Sequence, residues 1–189
     1  MSESSHIAEG PASEGSAAEK PTVRVLRREL GDALLEVQEQ HGDLAIRIRP
    51  ESLPAAARLC RDHPELSYDY LMDIAAVDYL GQDLRFEVVY NLYSLRHGHR
   101  VRLRVRLPEE EPTVDSLVPV WLAADWFERE AWDLMGIRFR GHPNLTRILT
   151  HAEFVGHALR KDYHSEERHR LSRTYDLFTE ASTGAPPAD

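Results

Sequence analysis

The chain has a single cysteine, Cys60, in 189 residues. A disulfide within the chain is therefore excluded, as is an iron–sulfur cluster of the usual four-thiolate kind held by this chain alone. Cys60 reads instead as a small buried apolar residue on a helix. Lysine is nearly absent: of 23 basic residues, 2 are lysine and 21 arginine, so the cations are forks suited to carboxylates and aromatic faces. Net positive charge is missing too. The formal charge of −9 argues against non-specific nucleic-acid binding, which needs a basic footprint. No run approaches the roughly 20 apolar residues of a membrane-spanning helix. Residues 1–21 lack the basic start and apolar centre of a secretory signal. Their four glutamates against one lysine also argue against a mitochondrial transit peptide, and their Ser/Ala/Glu/Gly/Pro content predicts disorder. The expected compartment is a bacterial-type cytosol. Neither GxGxxG nor a P-loop nor a GxSxG elbow occurs. This chain alone lacks the equipment for redox, phosphoryl or acyl chemistry.

What is present suits one soluble domain with a real core, since 42% of residues are hydrophobic and 29% charged. Leu26, Leu30, Leu34 and Val37 recur at helical spacing and predict a first helix over 24–40, ended by His41-Gly42-Asp43. Leu44, Ile46 and Ile48 alternate as a strand, and Ser52 caps a predicted helix running to about Asp62. Over 68–79, Tyr68, Tyr70, Met72, Ile74 and Ala76 fall on one strand face; Phe86, Val88, Tyr90 and Leu92 on the next. His97-Gly98-His99 marks a hairpin loop. Val101, Leu103, Val105 and Leu107 then alternate with Arg100, Arg102, Arg104 and Arg106, giving one dry and one wet face. The arginines read as a solvated sheet face crossing Glu87, with an acidic partner surface as the functional alternative. Asp115 or Ser116 caps a helical region reaching Met135, with Val120, Ala124, Phe127, Ala131 and Leu134 inward and Gly136 as its stop. The expected fold is α+β: two layers, a mixed, mostly antiparallel four-stranded sheet with helices on one face, and an extended C-terminal arm.

From Gly136 onward the pattern changes. A short strand-like piece, Ile137 to Arg140, precedes two echoing segments, Gly141-His142-Pro143 and Gly156-His157-Ala158. A segment of this length without its own core is unusual inside a compact domain and reads as an arm that wraps a partner. The expected division is a disordered extension over 1–21, a domain over 22–136, a docking arm over 137–173 and a disordered tail over 174–189. His142, His151, His157 and His164 lie at spacings too loose for a structural zinc site. Glu128, Glu130 and Asp133 suggest acid–base carboxylates, but positions two apart diverge on a helix. Arg129 and Asp133, four apart, suit an ion pair, and Trp126, Arg129 and Trp132 suit a cation–π stack. A docking helix is the favoured reading over a catalytic one.

The run from Glu128 resembles the signature of the 30-kDa subunit family of respiratory complex I, whose bacterial members are the C subunits of NADH-quinone oxidoreductases. The residues that carry the resemblance are Glu128-Arg129-Glu130, Trp132, Asp133, Gly136-Ile137, Phe139, Gly141-His142-Pro143, Leu145, Arg147-Ile148-Leu149 and Gly156-His157-Ala158-Leu159-Arg160-Lys161-Asp162-Tyr163. Two positions depart from the family pattern: Ala158 replaces a usual proline, and Met135 a common aromatic residue. The resemblance implies a cofactor-free subunit of the peripheral arm of a proton-translocating NADH:quinone oxidoreductase. It further implies docking on the large subunit of the quinone pocket, at the cytoplasmic face of the bacterial membrane, with no catalytic, cofactor or metal residue of its own. FMN, iron–sulfur clusters, NADH and quinone would then belong to other subunits. The rivals are a homologous subunit of a related membrane-bound hydrogenase or ferredoxin- or F420-linked dehydrogenase, and an independent soluble enzyme using Glu128, Glu130 and His142.

Overall fold

A computed structural model describes residues 20–164; the terminal stretches expected to be disordered fall largely outside them. Helix α1 (Pro21–Leu30) opens on proline, whose fixed φ suits a first turn, and buries Val23, Val25 and Leu26. The chain then departs from the expected long helix. Gly31 takes φ +52°, and Gly31–Ala33 form a single 3-10 turn. Residues Leu34–Gln40 become strand β1, paired antiparallel with β2 (Asp43–Ile48). His41 and Gly42, expected as a helix stop, are the two residues of the hairpin turn, with φ of +52° and +85°. Positive φ at both positions is what lets a two-residue turn match the strands' twist.

Helix α2 (Leu53–Asp62) follows a short turn at Pro50–Ser52, and Ser52 makes no side-chain capping bond. Strands β3 (Tyr70–Asp78), β4 (Phe86–Ser94) and β5 (His99–Leu107) complete a five-stranded sheet, one strand more than expected, in the order β1-β2-β5-β4-β3. Only the β2–β5 pair is parallel. The dry face of β4 and β5 is as the alternation predicts, with Phe86, Val88, Tyr90, Leu92, Val101, Leu103, Val105 and Leu107 all buried. In β3 a bulge between Leu71 and Asp73 shifts the register. It turns Leu71 inward and leaves Tyr70 and Met72, expected inside, on the surface. On the wet face Arg100 and Arg102 pair with Asp43, and Arg104 with Glu87.

The expected helix from Asp115 splits. Thr113–Asp115 form β6, which pairs parallel with β7 (Arg138–Arg140), and only Ala124–Met135 are helical, as α3. Ile137 and Phe139 are buried in the same core as the three helices and the inner sheet face, so the domain's apolar interior continues past Gly136. Cys60 is fully buried in that core, and burial pushes its thiol up to about 12.

Candidate functional site

Helix α3 carries two buried carboxylates, and neither points to solvent. Glu128 accepts hydrogen bonds from the Leu117 N–H and the Ser116 hydroxyl, both at 2.6 Å. It thereby fixes the loop between β6 and α3 to the helix. The buried residues of α3 are Ala124, Glu128, Ala131, Asp133 and Met135, so the inward stripe includes two acids where an apolar residue such as Leu134 was expected. Burial raises the Glu128 carboxyl to about 7, the two hydrogen bonds opposing it only in part. The sign follows directly. The folded state holds the proton more tightly than an exposed glutamate with its ordinary value of 4.5, so stability falls as pH rises from about 4.5 to 7 and then levels. The span is on the order of 3 kcal/mol. Glu128→Gln is expected to flatten that slope in urea-unfolding midpoints measured from pH 5 to 8.

Asp133 is the second buried acid, fully enclosed by the segment that follows the helix. Its Oδ2 accepts from the N–H groups of Ile148, Leu149 and Thr150 at 2.8–3.0 Å. Oδ1 accepts from the Thr150 hydroxyl and from Arg147, each at 2.5 Å. Burial works against its charge, but the bonds from Thr150, Ile148 and Leu149 outweigh burial and hold its pKa well below the usual carboxylate range. Arg129 does not pair with Asp133 as its spacing suggested. It donates to the carbonyls of Thr146 and Arg147 and lies 5.1 Å from the Trp126 ring. Arg147 takes the place of Arg129 beside Asp133, lies 5.7 Å from the Trp132 ring, and also donates to the Gly156 carbonyl.

The two Gly-His segments fasten the two ends of this one helix. His142 accepts at Nδ1 from Asn144 N–H, so its Nε2–H donates to the Asp125 carbonyl in the first turn of α3. At the other end the last helical carbonyls would lack partners. Gly136 N–H bonds the Trp132 carbonyl in a left-handed stop with φ +76°. The His157 Nδ1–H bonds the Asp133 carbonyl at 2.9 Å, Leu159 N–H bonds Leu134 at 3.0 Å, and Arg160 Nε bonds Met135 at 2.7 Å. The Gly-His-Ala-Leu-Arg motif is thus a helix cap supplied from residues 157–160, and the Arg160 cation suits the negative end of the helix dipole. Burial, with Arg160 and Arg147 nearby, lowers the His157 pKa against its bond to Asp133, and the neutral ring keeps the Nδ1–H that this bond uses.

Gly136 is where the cap presses closest. A Cβ there would stand 2.5 Å from both His157 and Arg160. Gly136→Ala is expected to cost about 1–3 kcal/mol through backbone strain and displacement of the cap. Faster hydrogen exchange at the Leu159 amide, with the β4 and β5 amides unchanged, is the check.

Beyond the cap, Lys161 N–H bonds Asp78, and the Asp162 carboxylate meets the guanidinium of Arg85. Arg85 is fully buried and also holds Asp78 and Glu109. Tyr163 stacks on Phe154 and lies 3.0 Å from where a Cβ on Gly156 would stand. Arg85, Asp78 and Thr150 escape a motif-based reading, and Ser116, expected as a helix cap, instead donates to Glu128 from the loop ahead of α3. Asp78 alone has a visible signal, an acid at an inward position at the end of an apolar strand face.

Of the motif residues, Glu130, Gly141, Pro143, Gly156, Lys161 and Asp162 are exposed, while Glu128, Asp133 and Gly136 are buried. The trio suited to an enzyme does not converge: both Glu128 oxygens are committed to Ser116 and Leu117, both His142 nitrogens to the main chain, and Glu130 faces solvent. A cleft of about 570 Å³ is lined by Lys20, Thr22, His41, Asp43, Tyr68 and His99 among others, and by no motif residue. Among the described residues no group of three or more His, Cys, Asp or Glu side chains could hold a metal ion, and no helix is long and apolar enough to cross a membrane.

Fold and site together define a class: an α+β domain whose last helix is strapped at both ends by the chain that follows it. Residues 46–169 match the family model described as respiratory-chain NADH dehydrogenase, 30 Kd subunit. The C subunit of an NADH-quinone oxidoreductase from Roseiflexus castenholzii is 48% identical over 147 residues, 77% of this chain and 84% of that one. Its counterpart from Geotalea uraniireducens is 46% identical over 138 residues, 73% and 83%. Among solved structures, a trypsin-resistant fragment of Nqo5 is 32% identical with a TM-score of 0.56, covering 65% of this chain and 97% of the fragment. A chain of an archaeal membrane-bound sulfane sulfur reductase shares the fold at 20% identity and TM-score 0.62, covering 81% and 94%. The chain belongs to the 30-kDa subunit family of respiratory-chain NADH dehydrogenase. Its relatives are subunits of an NADH-quinone oxidoreductase, which implies assembly with other subunits of such a complex.

Proposed function

We propose that this chain is a cofactor-free assembly subunit in the peripheral arm of a proton-translocating NADH:quinone oxidoreductase. It docks on the large subunit that forms the quinone pocket, at the cytoplasmic face of the membrane. Flavin, iron–sulfur clusters, NADH and quinone are handled by other subunits. The observation that carries this reading is the use made of the family motif. Its charged and histidine side chains hold helix α3 and the strap together rather than lining a pocket. A folding domain over about 22–136, its core carried on through Phe139, with a docking arm over the rest of 137–173, of which 165–173 lie outside the described residues, is the proposed organisation. The trypsin resistance of an Nqo5 fragment matching 65% of this chain supports it.

Truncation after Arg140 in the native host tests the proposal. It removes every partner of Asp133 from the strap and uncovers the carbonyls of Asp133, Leu134 and Met135. Co-purification with the other subunits is expected to fall to about a tenth or less, a loss of at least ~1.4 kcal/mol of binding. Membrane NADH:quinone activity is expected to fall in proportion. Undiminished co-purification would sink the proposal.

A further inference from the structure

The cleft of about 570 Å³ lies where four distant pieces of the chain meet: the start of α1, the β1–β2 turn, the approach to β3 and the β4–β5 turn. Its buried wall is polar. Thr22 is 3% and Tyr68 1% exposed, and their hydroxyls share one hydrogen bond of 2.8 Å. Burial pushes the Tyr68 hydroxyl well above its ordinary pKa, so it keeps its hydrogen. Two hydroxyls carry two hydrogens, and the bond between them uses one. The second has no acceptor among the described residues.

The start of α1 adds donors of the same kind. Its cap position holds Lys20, whose side chain cannot accept a hydrogen bond, and Pro21 follows. The helix's first bond runs from the Arg24 N–H to the Lys20 carbonyl. The N–H groups of Thr22 and Val23 therefore have no partner among the described residues, although both residues are buried. Open N–H groups inside a fold are rare, and at a helix start they suit an oxyanion.

The charges favour the same kind of ligand. Asp43 is the one carboxylate lining the cleft, against the cations Lys20 and Arg100. It already holds Arg100 and Arg102. Arg100 spends only its Nε there, which leaves its two terminal amino groups. Lys20 gives one hydrogen to Glu39 and one to the Gly42 carbonyl, and the ammonium group has a third. Donors thus outnumber acceptors around the cleft. A pocket of this size takes a whole small molecule, so the rings of Tyr93 and His41 on its lining have room to flank an organic group.

We infer that this cleft is a ligand site for the phosphate group of a small phosphate monoester. The Thr22 N–H, the Thr22–Tyr68 hydroxyl pair and Lys20 meet the phosphate oxygens, and Tyr93 and His41 flank the organic group. The site binds without any covalent step. It shares no residue with the family motif and does not depend on the reading of the chain as a subunit.

The test is amide NMR of the full chain, titrated at constant ionic strength with inorganic phosphate or with phenyl phosphate. Expected are saturable shifts at the Thr22 and Val23 amides with either probe, phenyl phosphate binding several-fold more tightly. Thr22→Val and Lys20→Gln are each expected to weaken binding about tenfold, with unchanged β4 and β5 amides as the check on folding. Lys20 lies outside the core, so its variant reads the site even if Thr22→Val fails to fold. Shifts that do not saturate, or that survive Lys20→Gln and spread along the β5 arginines, would overturn the site. Equal affinity for the two probes would overturn the placing of an organic group beside Tyr93 and His41.

Discussion

Asp133→Ala is expected to release the strap while leaving the sheet folded. The carboxylate gathers three consecutive N–H groups, the Thr150 hydroxyl and Arg147 around one point. Removing it leaves those donors without the fully buried acceptor on which they converge. Breaking a buried network of this kind costs about 3–5 kcal/mol. Asp133→Asn is expected to be nearly as damaging, because its amide NH2 would face donors where a carboxylate oxygen accepted. Limited trypsin digestion of the isolated chain reads the effect, since the half-buried Arg147 and Arg160 become accessible once the strap lifts. Cleavage there is expected well before any cut within β4 or β5. The pH sense is opposite to that of Glu128. A depressed pKa means that the Asp133 contribution is fully present above the ordinary carboxylate value of 3.8 and is lost only as pH falls through the still lower folded value. Strap release in the wild type therefore requires strong acid.

Arg85→Met is expected to be the second large effect. Arg85 is fully buried against Asp78, itself 1% exposed in its side chain, and the same guanidinium holds Asp162 and Glu109. Losing the cation strands a buried carboxylate, again at a cost of about 3–5 kcal/mol. Adding Asp78→Leu removes the stranded charge and is expected to restore much of the stability at the β3–β4 end. It is not expected to restore the strap's far end, because Asp162 has lost Arg85 and the Lys161 N–H has lost Asp78. Urea unfolding of the single and double variants, with hydrogen exchange over residues 159–163, separates the two contributions. Equal recovery of both would contradict the assignment of Arg85 as the link between sheet and strap.

How much of the fold is legible in the sequence depends on how local each cause is. Strands β4 and β5 are readable because Phe86 to Leu92 and Val101 to Leu107 alternate without interruption, and a period of two has no helical interpretation. The first helix is overextended by such a reading because Leu26, Leu30, Leu34 and Val37 fit a helical period equally well. What decides there is non-local: β1 has a partner in β2, reached through the positive-φ pair His41-Gly42. The bulge at Met72 is of the same kind, since only register with β4 reveals it. The motif residues are legible as a set, but their roles are not. A charged residue on a helix is expected outside, and the burial of Glu128 and Asp133 depends on Ser116, Leu117 and residues 148–150, which no helical periodicity brings together. The echo of the two Gly-His segments is visible in the chain; that they tie opposite ends of one helix needs coordinates.

The central claim is that α3 and its strap serve assembly rather than chemistry. The most direct measurement is NADH:quinone turnover per assembled complex, using complexes purified with the Asp133→Asn chain and quantified through one of the other subunits. The account predicts a much smaller amount of assembled complex whose turnover per complex matches the unsubstituted enzyme. Assembly at normal levels with collapsed turnover would contradict it, and would mean that the strap takes part in the reaction or in shaping the quinone pocket.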